Sequence, residues 1–162
     1  SARLCQLRLH GQMPFAIGSL RMAMESQGKS LDLARSDTGR ANICRALCWS
    51  GTGQYALKPH DDVAQVTYAG EGYEFAETAK REVVAINLYP SMPAQGGDLR
   101  LWRFKPTELD RAEGGLERTG YPYGERQLVD KEYWDLGVDA GDLVVINGGY
   151  VHAVTKQSSA AT

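Results

Sequence analysis

The sequence is poor in several things, and each shortage closes a door. Cysteine occurs three times in 162 residues. Cys5, Cys44 and Cys48 form an odd set without metal-knuckle spacing, which speaks against a disulfide framework or a zinc ribbon. Reduced thiols of a cytosolic (cytoplasmic) protein are the expectation. No apolar run approaches the ~20 residues of a membrane-spanning helix, so no membrane association is expected. Ser1-Ala2-Arg3-Leu4-Cys5 does not read as a signal peptide. A basic run is also missing: 18 Lys plus Arg face 20 Asp plus Glu, a net charge of −2. That leaves no electrostatic case for nucleic acid. The sequence has no internal repeat and no low-complexity tract. With 43% hydrophobic and 23% charged residues it has an ordinary globular balance, which excludes wholesale disorder, collagen-like repetition and a coiled coil. One domain over residues 1–162 is expected, large enough to bury a sizeable core. The chain opens without Met and stops directly after a strong strand-and-turn pattern. An excerpt of a longer polypeptide is therefore expected.

What is there has a clear order. Residues 13–35 read as helical, with Phe15, Ile17, Leu20, Met22, Met24, Leu31 and Leu33 as a core-facing stripe and Gly28 ending a first helix. From residue 40 the character changes to short strands and tight turns. Strand patterns cover residues 43–49, 54–58, 63–68, 82–89, 98–104 and 142–147, and the last is followed by Gly148-Gly149 and Tyr150-Val151-His152-Ala153-Val154. Residues 105–136 are polar, rich in Gly, Pro and charge, and weakly periodic, which reads as a long insertion. The expected fold class is mainly β (α+β), a small barrel or sandwich backed by N-terminal helices.

Histidine is scarce too: the chain has three. His10 lies in a polar–apolar alternation and reads as a surface residue. His60 ends a strand and opens His60-Asp61-Asp62. Side chains two apart on an extended chain project to the same side, so His60 and Asp62 can grip one cation. Asp61 should point away, with a supporting or surface role. His152 follows the final strand, behind a Gly-Gly turn. Two imidazoles and a carboxylate on one face of a metal form the facial triad of non-haem iron(II) sites. Zinc accepts the same ligands, so the set alone does not choose the metal.

The order of these segments resembles a known family. Tyr55-Ala56-Leu57-Lys58-Pro59-His60-Asp61-Asp62 comes first. Val84-Ala85-Ile86-Asn87-Leu88-Tyr89 and Gly96-Gly97-Asp98-Leu99-Arg100-Leu101 follow. Gly141-Asp142-Leu143-Val144-Val145-Ile146-Asn147 and Val151-His152-Ala153-Val154 complete the pattern. From about Tyr55 to Val154 the sequence is similar to the iron(II)/2-oxoglutarate-dependent oxygenases, whose core is a double-stranded β-helix (jelly roll). The resemblance implies His60, Asp62 and His152 as catalytic metal ligands, with Fe(II), 2-oxoglutarate and O₂ as cofactor and co-substrates. It implies Tyr55 as a contact to 2-oxoglutarate. The family holds the far carboxylate of 2-oxoglutarate with a basic residue, usually Arg, shortly beyond the distal His. No Arg follows His152 here, so either that Arg lies beyond Thr162 or Lys156 takes its place.

Strand parity adds two candidates. Val84, Ile86 and Leu88 share one face, expected to pack on helices; Ala85, Asn87 and Tyr89 share the other, expected to line the interior. Asn87 and Tyr89 could donate hydrogen bonds to a bound carboxylate there. Aliphatic halogenases of the same family replace the ligand Asp by Gly or Ala to admit chloride. Asp62 is retained here, so the resemblance implies a hydroxylase acting on a small molecule such as an amino acid, a nucleoside or a natural product. Arg111, Arg118, Tyr121, Tyr123, Arg126, Tyr133 and Trp134 of the insertion are expected either as a lid over a polar substrate or as a solvated loop with packed aromatics. The position of Trp102 and Arg103 relative to the site is left open by parity. Two alternatives stand beside the oxygenase: a cupin-like metal enzyme that does not use 2-oxoglutarate, and a non-catalytic barrel binding module with structural histidines.

Overall fold

The computed structural model describes residues 13–42, 44–49, 53–69, 72–75 and 82–157. Helix α1 (Met13–Glu25) is followed by a two-stranded ribbon, β1 (Arg35–Ser36) and β2 (Gly39–Arg40). Then come β3 (Tyr55–His60), α2 (Asp62–Ala69), β4 (Val84–Leu88) and β5 (Leu99–Trp102). The chain continues through α3 (Glu108–Gly114), α4 (Glu125–Leu128), β6 (Tyr133–Leu136), β7 (Leu143–Asn147) and β8 (His152–Thr155). All pairings are antiparallel. One sheet has the order β3-β8-β5-β6, and β4 pairs with β7 in a second. The protein is thus mainly β with a few short helices, as expected. Among the described residues no helix is long and apolar enough to cross a membrane.

Side-chain alternation gives the four-stranded sheet two different faces. On one, Trp102, Ala153 and Tyr55 pack with Leu116, Tyr123 and Leu128. On the other, Leu99 and Leu101 meet Ala85, Tyr89, Val144 and Ile146 of the β4–β7 pair, together with Val138. Ala85 and Tyr89 therefore stand on the inward face, as parity predicts. The opposite face of β4 does not pack as predicted: Val84 and Ile86 are exposed, as are Leu143 and Val145 on the paired strand.

Four other expectations are corrected. The helix of residues 13–35 ends at Glu25, and a turn carries the chain to Gly28, whose φ of +68° suits glycine. Within α1 the half-buried positions include Ile17, Leu20 and Met24, whereas Met22 is exposed. Cys44–Trp49 is irregular rather than a strand, and Ile43 lies outside the described residues. Residues 63–68 form α2, not a strand. Asp61 Oδ1 accepts from the Val63 and Ala64 amides at 3.0 and 3.3 Å. This side-chain cap outweighs the strand preference of the β-branched Val63, Val66 and Thr67. Finally, residues 105–136 are not a structureless insertion. A Thr107–Asp110 capping box starts α3, Gly115 ends it in the left-handed conformation, and β6 extends the four-stranded sheet.

Candidate metal centre

Two strand ends and one helix start meet at a point. His60 is the last residue of β3, His152 the first of β8, and the two are cross-strand partners. Their ring centroids lie 4.2 Å apart. Asp62 is the first residue of α2. Its Oδ1 is 3.8 Å from His60 Nε2, and its Oδ2 is 3.7 Å from His152 Nε2. One ligand atom from each of the three residues falls within 4.8 Å of the others. An ion that bonds its donors at ~2.1 Å can bridge atoms about 4 Å apart.

The rings are oriented for this use. His60 Nδ1 lies 2.9 Å from the Lys58 carbonyl, and His152 Nδ1 lies 2.9 Å from the Tyr150 carbonyl. A carbonyl can only accept, so each ring carries its proton on Nδ1 and turns the Nε2 lone pair toward Asp62. Outer hydrogen bonds of this kind fix tautomer and ring angle at metal sites. Both rings are buried. Burial, then the facing His152 ring, lowers the His60 pKa to about 4, which keeps this imidazole neutral. Burial raises the Asp62 pKa, while His152 and Arg45 pull the other way. A half-buried carboxylate beside two imidazole nitrogens is a donor set that a divalent cation would complete. The donor set thus fits iron(II) or another borderline metal.

The turn before β8 is built around Asp62. The Asp62 amide donates to the Gly148 carbonyl at 2.8 Å. A Cβ on Gly148 would lie 2.5 Å from Asp62 Oδ2, so a side chain at this position would push the Asp62 carboxylate aside. Asn147 Oδ1 accepts from the Gly149 amide at 2.9 Å and holds the turn.

The other candidates are distributed differently. Asn87 and Tyr89 lie on the β4 strand and just past its end, respectively, and burial raises the Tyr89 hydroxyl pKa. Tyr55 pairs with Thr155, at the far end of β3 from His60, and its ring packs 6.3 Å from that of Trp102. Tyr55 and Lys156 line a cavity of about 390 Å³ with Gln54, Asp98, Arg100 and Asp135. Arg100 there is engaged by both Asp135 oxygens at 2.6 Å. Trp102 is buried on the face turned to α3 and α4, and Arg103 is exposed beside Glu132.

The insertion holds the largest surprise. Arg111 and Tyr123, expected in a lid or a solvated loop, are buried and bind Asp61. Arg118 lies over the Tyr68 ring at 4.1 Å, and Trp134 and Tyr133 are exposed. Tyr121 stands edge-on to His60, at 6.1 Å between ring centroids. The sequence signal for Arg111 was its place in the first turns after a Thr-x-x-Asp capping box, which marks a helix rather than a loop.

Comparison with known proteins agrees with this geometry. Over 126 residues, 77% of the chain, the sequence is 36% identical to the L-isoleucine 3(1)-dioxygenase of Pantoea ananatis (strain AJ13355). The matched part spans 42% of that relative's length. No protein-family model and no solved structure matches.

Proposed function

We propose that the chain belongs to the iron(II)/2-oxoglutarate-dependent oxygenases and carries the metal centre of a dioxygenase that hydroxylates an aliphatic C–H bond of a small molecule. The convergence of His60, Asp62 and His152 is the observation that carries this reading. These three residues would hold iron(II), which with 2-oxoglutarate and O₂ would supply the oxidising power, succinate and CO₂ being the products of the 2-oxoglutarate. The protein's own residues do the rest. The Lys58 and Tyr150 carbonyls hold the imidazoles in the metal-binding tautomer. The carboxylate of Asp62 fills a position that would have to be vacant for halide, so oxygen insertion is favoured over halogenation. Asn87 and Tyr89 are the polar groups on the inward side of β4 assigned to the co-substrate. In the same reading the four-stranded sheet and the β4–β7 pair are the two walls of a jelly roll.

An aliphatic L-amino acid is the first substrate class to examine, because the relative is named for L-isoleucine. The deciding experiment is an anaerobic titration of the full-length protein with iron(II) and 2-oxoglutarate. A charge-transfer absorption of the chelate, absent in Asp62→Ala, is expected. Succinate formation that rises on adding L-isoleucine or a related amino acid completes the test. Iron(II) binding without any 2-oxoglutarate chelate would move the protein to the cupin-like alternative.

A further inference from the structure

Directly behind the metal ligands sits a second carboxylate. Asp61 is 0% exposed. Its Oδ1 accepts from the Val63 and Ala64 amides at 3.0 and 3.3 Å and from Arg111 Nη2 at 2.9 Å. Its Oδ2 accepts from Arg111 Nε at 3.1 Å and from the Tyr123 hydroxyl at 2.7 Å. These donors occupy both oxygens, so nothing of Asp61 is left for a metal. The backbone is stitched as well. The Asp61 amide donates to the Gly120 carbonyl at 3.0 Å, and the Tyr123 amide donates to the Pro59 carbonyl at 2.9 Å. Gly120 has a φ of +57°, and a Cβ there would lie 2.6 Å from the Asp61 carbonyl oxygen. Residues 107–123 are thus fastened to the chain on either side of His60.

We propose that Asp61, Arg111 and Tyr123 are positioning residues of the metal centre: their buried clamp sets the angle at which the end of β3 and the start of α2 present His60 and Asp62. The planar guanidinium fork fixes the plane of the Asp61 carboxylate. That carboxylate in turn caps α2 and so fixes the first helical residue, Asp62. Loosening the clamp turns the Asp62 carboxylate away from the two Nε2 atoms. The inference rests on the metal-centre reading above, and it assigns to the rear of the site a role in metal affinity rather than in covering substrate.

The test uses the full chain and two metals under anaerobic conditions. Iron(II) gives the affinity, and cobalt(II) gives a ligand-field absorption spectrum that reports donor geometry. Tyr123→Phe and Arg111→Lys should keep the wild-type far-ultraviolet circular dichroism. Both should weaken iron(II) binding roughly tenfold to a hundredfold and alter the cobalt(II) spectrum. Arg111→Met should weaken binding more than Arg111→Lys. Wild-type affinity and an unchanged cobalt(II) spectrum in Tyr123→Phe would overturn the proposal. So would a loss of binding that merely tracks the folded fraction. If Arg111→Met does not fold, Tyr123→Phe decides alone. If the wild type binds iron(II) but forms no 2-oxoglutarate chelate, the function fails and the clamp can still be read from the metal. If wild type and variants bind metal equally, the clamp fails and the function stands. If the wild type binds no metal, both fail.

Discussion

Asp61 and Asp62 are neighbours in sequence and opposites in environment. Asp62 faces two imidazole nitrogens at 3.7 and 3.8 Å, and among the described residues no Arg or Lys bonds to it. Asp61 faces the other way, into a buried guanidinium, a phenol and two amides. The front of the turn is a donor set that a cation would complete, and the rear is a site whose charge is already satisfied. The difference shows how one short segment separates binding from support. A carboxylate saturated by the protein holds structure, whereas a carboxylate left facing imidazole nitrogens keeps its oxygens available to a metal.

That contrast can be broken at several points. The largest effect is expected at the front. Asp62→Ala should abolish the iron(II)/2-oxoglutarate absorption and reduce turnover to background while leaving the unfolding midpoint near wild type. At the rear the effect should be on stability. Arg111→Met strands a buried carboxylate and should cost about 3–5 kcal/mol in chemical denaturation. Adding Asp61→Asn to Arg111→Met should return part of that loss, a coupling that a double-mutant cycle measures. Gly148→Ala comes next. Its Cβ would meet Asp62 Oδ2, so it should weaken iron(II) binding with little change in stability. The smallest effect concerns pH. Burial first, and the hydrogen bond to Asp61 second, raise the Tyr123 pKa. The folded state therefore keeps a proton that the unfolded state gives up from about pH 10. The stability linked to this group is present below that pH and is lost as pH rises through the folded value. Tyr123→Phe should flatten the alkaline loss of stability, measured as the difference from wild type.

Much of the site was legible in the sequence, though partly for another reason. His60, Asp62 and His152 stand out as a rare residue type and a carboxylate at strand ends. Extended-chain parity is not what brings His60 and Asp62 together. The strand stops at His60, Asp61 caps a helix, and Asp62 opens it. The alternation of residues 63–68 pointed to a strand because cap chemistry acts over one turn and pattern over several. Tyr55 carried the right polarity but points to Trp102 at the other end of its strand, behind register shifts in the β3–β8 pairing. Arg111 and Tyr123 were hidden for a further reason: each is 50 residues or more from Asp61 in the chain. Nothing local marks such a partnership.

The sequence by itself determined the residue types of the His60, Asp62 and His152 cluster, the strand that ends at His60 and the inward face of β4, because alternation and residue chemistry are local properties. Only the tertiary structure decided that a helix start rather than an extended strand brings Asp62 to the histidines, and that Arg111 and Tyr123 clamp Asp61. Both depend on which buried donors the fold brings to each oxygen, and contacts between distant parts of a chain leave no local pattern.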